Sequence, residues 1–183
     1  MKIDPHLRDA VLAAVPSLRA FAISLSGNVD RADDLVQETM LRALANIHSF
    51  QPGTNMSAWL FTILRNLFRS EYRKRRREVE DADGSYAANL KSQPEQNAKV
   101  EYNELREALA KLPADQREAL ILVGASGFSY EEAAAISGCA VGTIKSRVNR
   151  ARNRLAEMMS LDSAEDFGPD RETQAVMGGT HRR

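Results

Sequence analysis

The chain has one cysteine and three histidines in 183 residues. A single thiol, Cys139, excludes an internal disulfide and fits a reducing compartment. Its place between two candidate helices points to a small buried apolar side chain, not a reactive thiol. His6, His48 and His181 are too scattered for a metal cluster, so no metal or other cofactor is expected. No apolar run approaches membrane-spanning length and mean hydropathy is −0.41, so no membrane partner is expected. The segment MKIDPHLRDAVLAAV is interrupted by Asp9 and lacks a signal-peptide cleavage pattern. Strand signals and internal repeats are missing. A nucleophile–base pair and a glycine-rich phosphate loop are missing too, so the chain is not expected to be an enzyme. Twenty-five basic residues balance 25 acidic ones, and a net charge of zero argues by itself against a nucleic-acid partner.

The distribution of charge overturns that total. From Arg69 to Arg77 there are six basic residues and one acid, whereas Glu78 to Glu104 holds seven acids and two lysines. The most informative basic stretch is SYEEAAAISGCAVGTIKSRVNRARNRL, Ser129 to Leu155. Ser129 and Glu132 form a capping box that opens one helix, and Gly127 suits the end of the helix before it. Ala134 lets two helices approach, Gly138 relaxes the turn, and Ile144 lies beneath a second helix. Val141, Ile144, Val148, Ala151 and Leu155 recur at steps of three and four as one apolar stripe. The other faces carry Lys145, Arg147, Arg150, Arg152 and Arg154 with no acid among them. This is the pattern of a helix-turn-helix whose second helix lies on DNA. A solvated helix face is the plainer explanation of such a charge run, but it leaves the turn and the stripe unexplained.

Elsewhere the pattern is also helical. The expected fold class is all-α: two small helical domains joined by a flexible acidic linker. Pro16 suits a helix start, followed by Leu18, Phe21, Ala22 and Leu25, and Gly27 and Asn28 stop that helix. Asp30 is placed to cap the next one, whose inward face is Ala32, Leu35, Val36, Thr39, Met40, Ala43, Leu44 and Ile47. Ser49 to Asn55 is a loop of turn formers. A long helix is expected from about Ser57 to Arg77. Glu78 to about Lys99 loses periodicity and reads as a flexible tether. Leu105, Leu109 and Leu112 resume a helix, and Pro113 opens another that reaches roughly Ala125. The expected domains are residues 1–78, a linker at 79–101, a second domain at 102–160, and an acidic then glycine-rich tail at 161–183.

The long helix has two faces. Leu60, Ile63, Leu64 and Leu67 cluster towards a core. Trp59, Thr62, Asn66, Arg69 and Arg73 step along nearly the opposite side, giving an aromatic ring, polar groups and then cations. Such a face stacks on bases, reads an exposed base edge and neutralises a backbone. Trp59 as partly buried packing, and Arg73 to Arg77 as a solubilising helix end, are the alternatives.

These stretches resemble the extracytoplasmic-function (ECF) sigma factors, which direct bacterial RNA polymerase to promoters. DDLVQETMLRAL (Asp33 to Leu44) is similar to region 2.2, and WLFTILRNLFRSEYRKRRR (Trp59 to Arg77) to regions 2.3 and 2.4. LPADQREALIL (Leu112 to Leu122) and VGTIKSRVNRAR (Val141 to Arg152) resemble region 4. The resemblance covers about Leu18 to Leu155. GASGFSYEEAAAISGCAVGTIKSRVNRAR is most similar to the EcfG general-stress group of alphaproteobacteria.

The resemblance implies a cytoplasmic protein with three partners. These are core RNA polymerase (β′ coiled coil and β subunit), promoter DNA, and an anti-sigma factor of the NepR type. It implies that Asp34, Gln37 and Glu38 dock on the β′ coiled coil, with Leu41 as an exposed apolar centre beside them. The loop Ser49 to Met56 matches the specificity loop that captures a flipped −10 base, and Asn66 matches the asparagine of the −10 helix. Lys145, Ser146, Asn149 and Arg150 match the positions that meet the −35 element in the major groove. Thr143, Arg147 and Arg152 fit phosphate contacts. One departure is Ala140, where a serine often caps the recognition helix, a loss of about 1 kcal/mol.

Two other functions compete. A sigma mimic that only titrates an anti-sigma factor has no need for Arg69, Arg73, Lys145 and Arg150. A one-component helix-turn-helix regulator needs a dimerisation element to match two half-sites, and no such element is apparent.

Overall fold

The computed structural model describes residues 4–81 and 98–159, and their regular elements are all helical. The helices are α1 (Pro5–Ala13), α2 (Val15–Ser26), α3 (Val29–Ala45), α4 (Met56–Asp81), α5 (Ala98–Lys111), α6 (Ala114–Leu120), α7 (Tyr130–Ser137) and α8 (Val141–Met158). A short 3-10 turn, Ile47–Ser49, follows α3, and a π-helical turn, Ile121–Ala125, continues α6.

Helices α2, α3 and α4 make the first core. Leu18, Phe21 and Ala22 meet Ala32, Leu35 and Ala43, and Leu60 and Leu64 close it from α4; all are fully buried or nearly so. Gly27 ends α2 in the left-handed conformation at φ 66°, as the sequence indicates. The cap of α3 differs from expectation. Asn28, not Asp30, accepts from the Arg31 N–H, at 2.8 Å. Asp30 stands instead in the first turn, where its charge suits the helix dipole. Helix α1 was not foreseen; Asp4 caps it by accepting from the His6 N–H at 2.9 Å.

The expectation of no membrane-length apolar run needs correcting. Pro5–Ser26 contains a window of mean hydropathy 1.3, long and apolar enough by composition to cross a bilayer. Its charges, Arg8, Asp9 and Arg19, stand at exposed positions of otherwise apolar helices. Here the apolar residues Leu18, Phe21, Ala22 and Leu25 of α2 are buried in the core.

Helix α4 also exceeds its expected limits, running from Met56 to Asp81. Loss of apolar periodicity after Arg77 does not end a helix that contains neither glycine nor proline. Helix α5 begins at Ala98, inside the segment expected as linker; residues 82–97 lie outside the described residues, as does the tail from residue 160.

The two halves form one packed body. Phe61 of α4 stacks on Phe21 at 4.9 Å and meets Phe128, just before α7, edge-on at 4.8 Å. The π-helical turn, closed by the Ser126 N–H on the Ile121 carbonyl at 2.8 Å, brings the chain round to Phe128. A smaller core of Ala108, Leu112, Ala151 and Leu155 joins α5 to α8.

An ion pair ties α2 to α3. Arg19 Nε donates to Asp33 Oδ1 at 2.6 Å. That hydrogen bond holds the Asp33 carboxyl below its ordinary value of 3.8 and raises the Arg19 guanidinium. A depressed carboxylate contributes stability in full above the unfolded value and loses it as pH falls through the folded one. Asp33→Asn is therefore expected to lower the melting temperature slightly at neutral pH. The difference should vanish at a pH below the folded value, where wild-type Asp33 is protonated too. Thermal melts of the two proteins across that range check it.

Candidate nucleic-acid interface

Helices α7 and α8 form the expected helix-turn-helix. The capping box is complete: the Glu132 N–H donates to Ser129 Oγ at 3.1 Å, and the Ser129 N–H donates to Glu132 Oε2 at 3.0 Å. Gly138 takes φ 62° in the turn, a conformation that a side chain would strain. Ile144, Val148, Ala151 and Leu155 are buried beneath α8, and Val141 is half-buried. Ala140 begins α8 with no side-chain cap, so N–H groups of the first turn stay available.

That packing turns Thr143, Lys145, Asn149 and Arg150 to solvent, with Ser146, Arg147 and Arg152 half-exposed beside them. The cations are not all independent. Arg147 Nε pairs with Asp115 of α6 at 3.1 Å, and Lys145 Nζ stands 5.4 Å from the centre of the Tyr130 ring. Cys139 is half-buried, with Arg147 Nη1 3.7 Å from its sulfur, so it is less enclosed than the sequence indicates. Arg117 of α6 is held lower in pKa by burial, with Nη1 donating to the Ala110 carbonyl at 3.1 Å.

On α4 the expected face divides. Trp59 is half-buried with its ring 5.5 Å from Phe50, and Thr62 Oγ1 donates to the Ala58 carbonyl at 2.8 Å. Asn66, Arg69 and Arg73 are exposed together further along. The loop before α4 is held at its end by Asn55. Its Oδ1 accepts from the Ala58 N–H at 3.3 Å, and its Nδ2 donates to Glu132 Oε1 at 2.7 Å. On α3, Asp34 and Gln37 are exposed, Glu38 pairs with Arg42 at 2.7 Å, and Leu41 is 59% exposed. These four residues lie off the buried stripe, on one outward face.

A charged junction between the halves has no counterpart in the sequence reading. Arg65 of α4 donates from Nε to Glu118 Oε1 at 2.5 Å, Ser137 Oγ donates to the same oxygen at 3.0 Å, and Arg69 Nη2 stands 3.6 Å from Oε2. Arg65 and Glu118 are both buried. Arg65 sits among apolar neighbours of α4 (Leu64, Leu67), Glu118 follows the polar first turn of α6, and 53 positions separate them, which leaves no local signal of the partner. The available hint is Phe61, an apolar residue of α4 that stands beside the Leu60 and Leu64 stripe and is buried against Phe128.

Two family models match this chain: Sigma-70 region 2 over residues 11–78 and Sigma-70, region 4 over residues 102–155. The ECF RNA polymerase sigma factor EcfG of Rhodopseudomonas palustris (strain TIE-1) is 76% identical over 179 residues, covering 98% of this chain and 99% of that protein. The chain is an ECF RNA polymerase sigma factor. It directs promoter recognition by RNA polymerase and is not an enzyme. The part matched by region 2 runs from the end of α1 through α4, and the part matched by region 4 runs from α5 through α8. A solved sigma factor, RpoE in complex with the anti-sigma factor NepR from Bartonella quintana, is 54% identical with a TM-score of 0.81. The match covers 87% of this sigma factor and all of that chain. The anti-anti-sigma factor PhyR from the same organism, solved with NepR, is 18% identical with a TM-score of 0.54. It covers 82% of this chain and 49% of that one, and so shares the fold alone.

Proposed function

We propose that this sigma factor is of the EcfG general-stress type and acts in the cytoplasm, docking core polymerase through α3, opening and holding the −10 strand with α4, and reading −35 duplex with α8. The observation that carries the proposal is the pair of outward basic helix faces, α4 and α8, each anchored by its own buried stripe. On α3, Asp34, Gln37 and Glu38 surround exposed Leu41 and offer the β′ coiled coil an apolar centre with a polar rim. On α4, Asn66 contacts bases while Arg69 and Arg73 neutralise the backbone. Trp59 and Thr62 support the start of that helix at half-exposure, and the loop up to Met56 receives the flipped base. On α8, Lys145, Ser146, Asn149 and Arg150 read base edges, and Thr143, Arg147 and Arg152 hold phosphates. The partner that restrains it is an anti-sigma factor of the NepR type, as found with the Bartonella sigma factor.

Selection of −35 duplexes by the wild-type protein and by variants tests the α8 assignments. Lys145→Ala and Arg150→Ala should each weaken specific binding by about 1–3 kcal/mol and relax preference at one or two base pairs. Arg152→Ala should weaken binding to all sequences alike and flatten the salt dependence. Unchanged base preference in the first two variants contradicts the assignment of readers.

A further inference from the structure

Region 4 rests on α4 through charges that neither half needs for its own core. Arg65 and Arg69 lie one helical turn apart, and both face the Glu118 carboxylate. The Arg65 and Glu118 side chains are 6% and 7% exposed. Arg65 Nη2 has no hydrogen-bond partner among the described residues, and the Gly138 turn lies over the same guanidinium. A buried ion pair stabilises a fold only when its remaining donors are satisfied. This pair is therefore a poor permanent clamp. A guanidinium fork fits carboxylate and phosphate oxygens alike.

We propose that Arg65 and Arg69 form an anion site on α4 that takes a phosphate of the −10 strand, and that Glu118 fills this site while region 4 is docked. The proposal rests on the assignment of α4 to the −10 strand. A nucleic-acid backbone fits better than an acidic protein, because the site continues along one helix through Asn66 and Arg73 into the basic run that ends at Arg77. Size requires the docked state to open. Elements named −10 and −35 stand about 25 base pairs apart, on the order of 80 Å at ~3.4 Å per base pair. A compact body of about 140 residues has a radius of gyration near 14 Å, hence a diameter under about 40 Å. The closed chain cannot hold both elements, so Glu118 leaves Arg65 when both are bound. The same motion takes Glu132 from Asn55 and frees the loop that receives the flipped base.

Binding of a labelled oligothymidine to the full-length protein across a salt series tests this. Glu118→Gln keeps the shape and the Ser137 partner but removes the anion. It should bind about tenfold tighter than wild type, because less of the chain is closed. Glu118→Gln with Arg65→Gln leaves no buried charge alone. It should lose most of that gain, and its salt slope should fall by about 0.7, one single-strand phosphate. Arg65→Lys in the Glu118→Gln background should restore the slope. If Glu118→Gln folds poorly in isolation, the slope is read in the polymerase complex on promoter DNA. There the double variant should lose one phosphate of salt dependence. Equal affinities for wild type and Glu118→Gln overturn the proposal, as does a double variant that binds and responds to salt like Glu118→Gln. A gain towards polyglutamate without one towards oligothymidine also overturns it and points to an acidic protein. If the parent assignment of α4 is wrong instead, Asn66→Ala leaves −10 opening intact. If only this inference is wrong, Asn66→Ala impairs opening and the Arg65 series stays silent.

Discussion

Gln37→Ala combined with Leu41→Glu should abolish binding to core polymerase while leaving the fold intact. Leu41 is 59% exposed on α3 and touches no core of its own, so a glutamate there stays solvated in the free protein. In the proposed interface the same carboxylate would be buried without a partner. An uncompensated buried charge costs several kcal/mol, enough to remove a protein contact of ordinary affinity. Gln37→Ala takes away a polar rim group at the same face. Circular dichroism should give an unchanged melt, and a pull-down with core enzyme should recover none of the variant. Assembly at wild-type affinity would show that this face is not the polymerase contact.

Phe61→Ala should produce a large loss of stability. Its ring is 1% exposed and touches the cores of both regions, stacked on Phe21 and edge-on to Phe128. Truncation of a buried phenylalanine costs about 3–5 kcal/mol through lost burial and the cavity left behind. The loss falls on region 2, through Phe21, and on the docking of region 4, through Phe128. Calorimetry should show a lower transition, and scattering should show a larger radius of gyration as region 4 detaches. A loss below about 1 kcal/mol would mean that the cavity collapses and that Phe61 is not the central contact.

The helices and the recognition motif were legible because local chemistry sets them. Ser129 and Glu132, Gly138, Gly27 and the stripe of α8 each carry a signal within a few residues. The caps were less legible, since Asn28 and Asp30 both suit that role and only geometry chooses Asn28. The end of α4 was missed because the helix outlives its apolar pattern. The docking of region 4 on region 2 was not legible at all. An apolar residue such as Phe61, beside a stripe that is already complete, says that a face is covered, not by what. Arg65 and Glu118 carry no local sign of each other until the fold brings them together. The outward faces of α3, α4 and α8 were readable for the opposite reason, since residues left outside a buried stripe stay exposed. Trp59 and Thr62 sit at the edge of that logic, half-buried by Phe50 and by their own helix.

The most direct measurement is run-off transcription on a promoter library by core polymerase, with and without this chain. Transcripts are expected from a defined set of promoters that share −35 and −10 elements, only when the chain is present. They should be lost with Lys145→Ala combined with Arg150→Ala, and with Gln37→Ala combined with Leu41→Glu. Transcription no different with and without the chain would contradict this expectation and leave a protein that carries both DNA faces but directs no initiation.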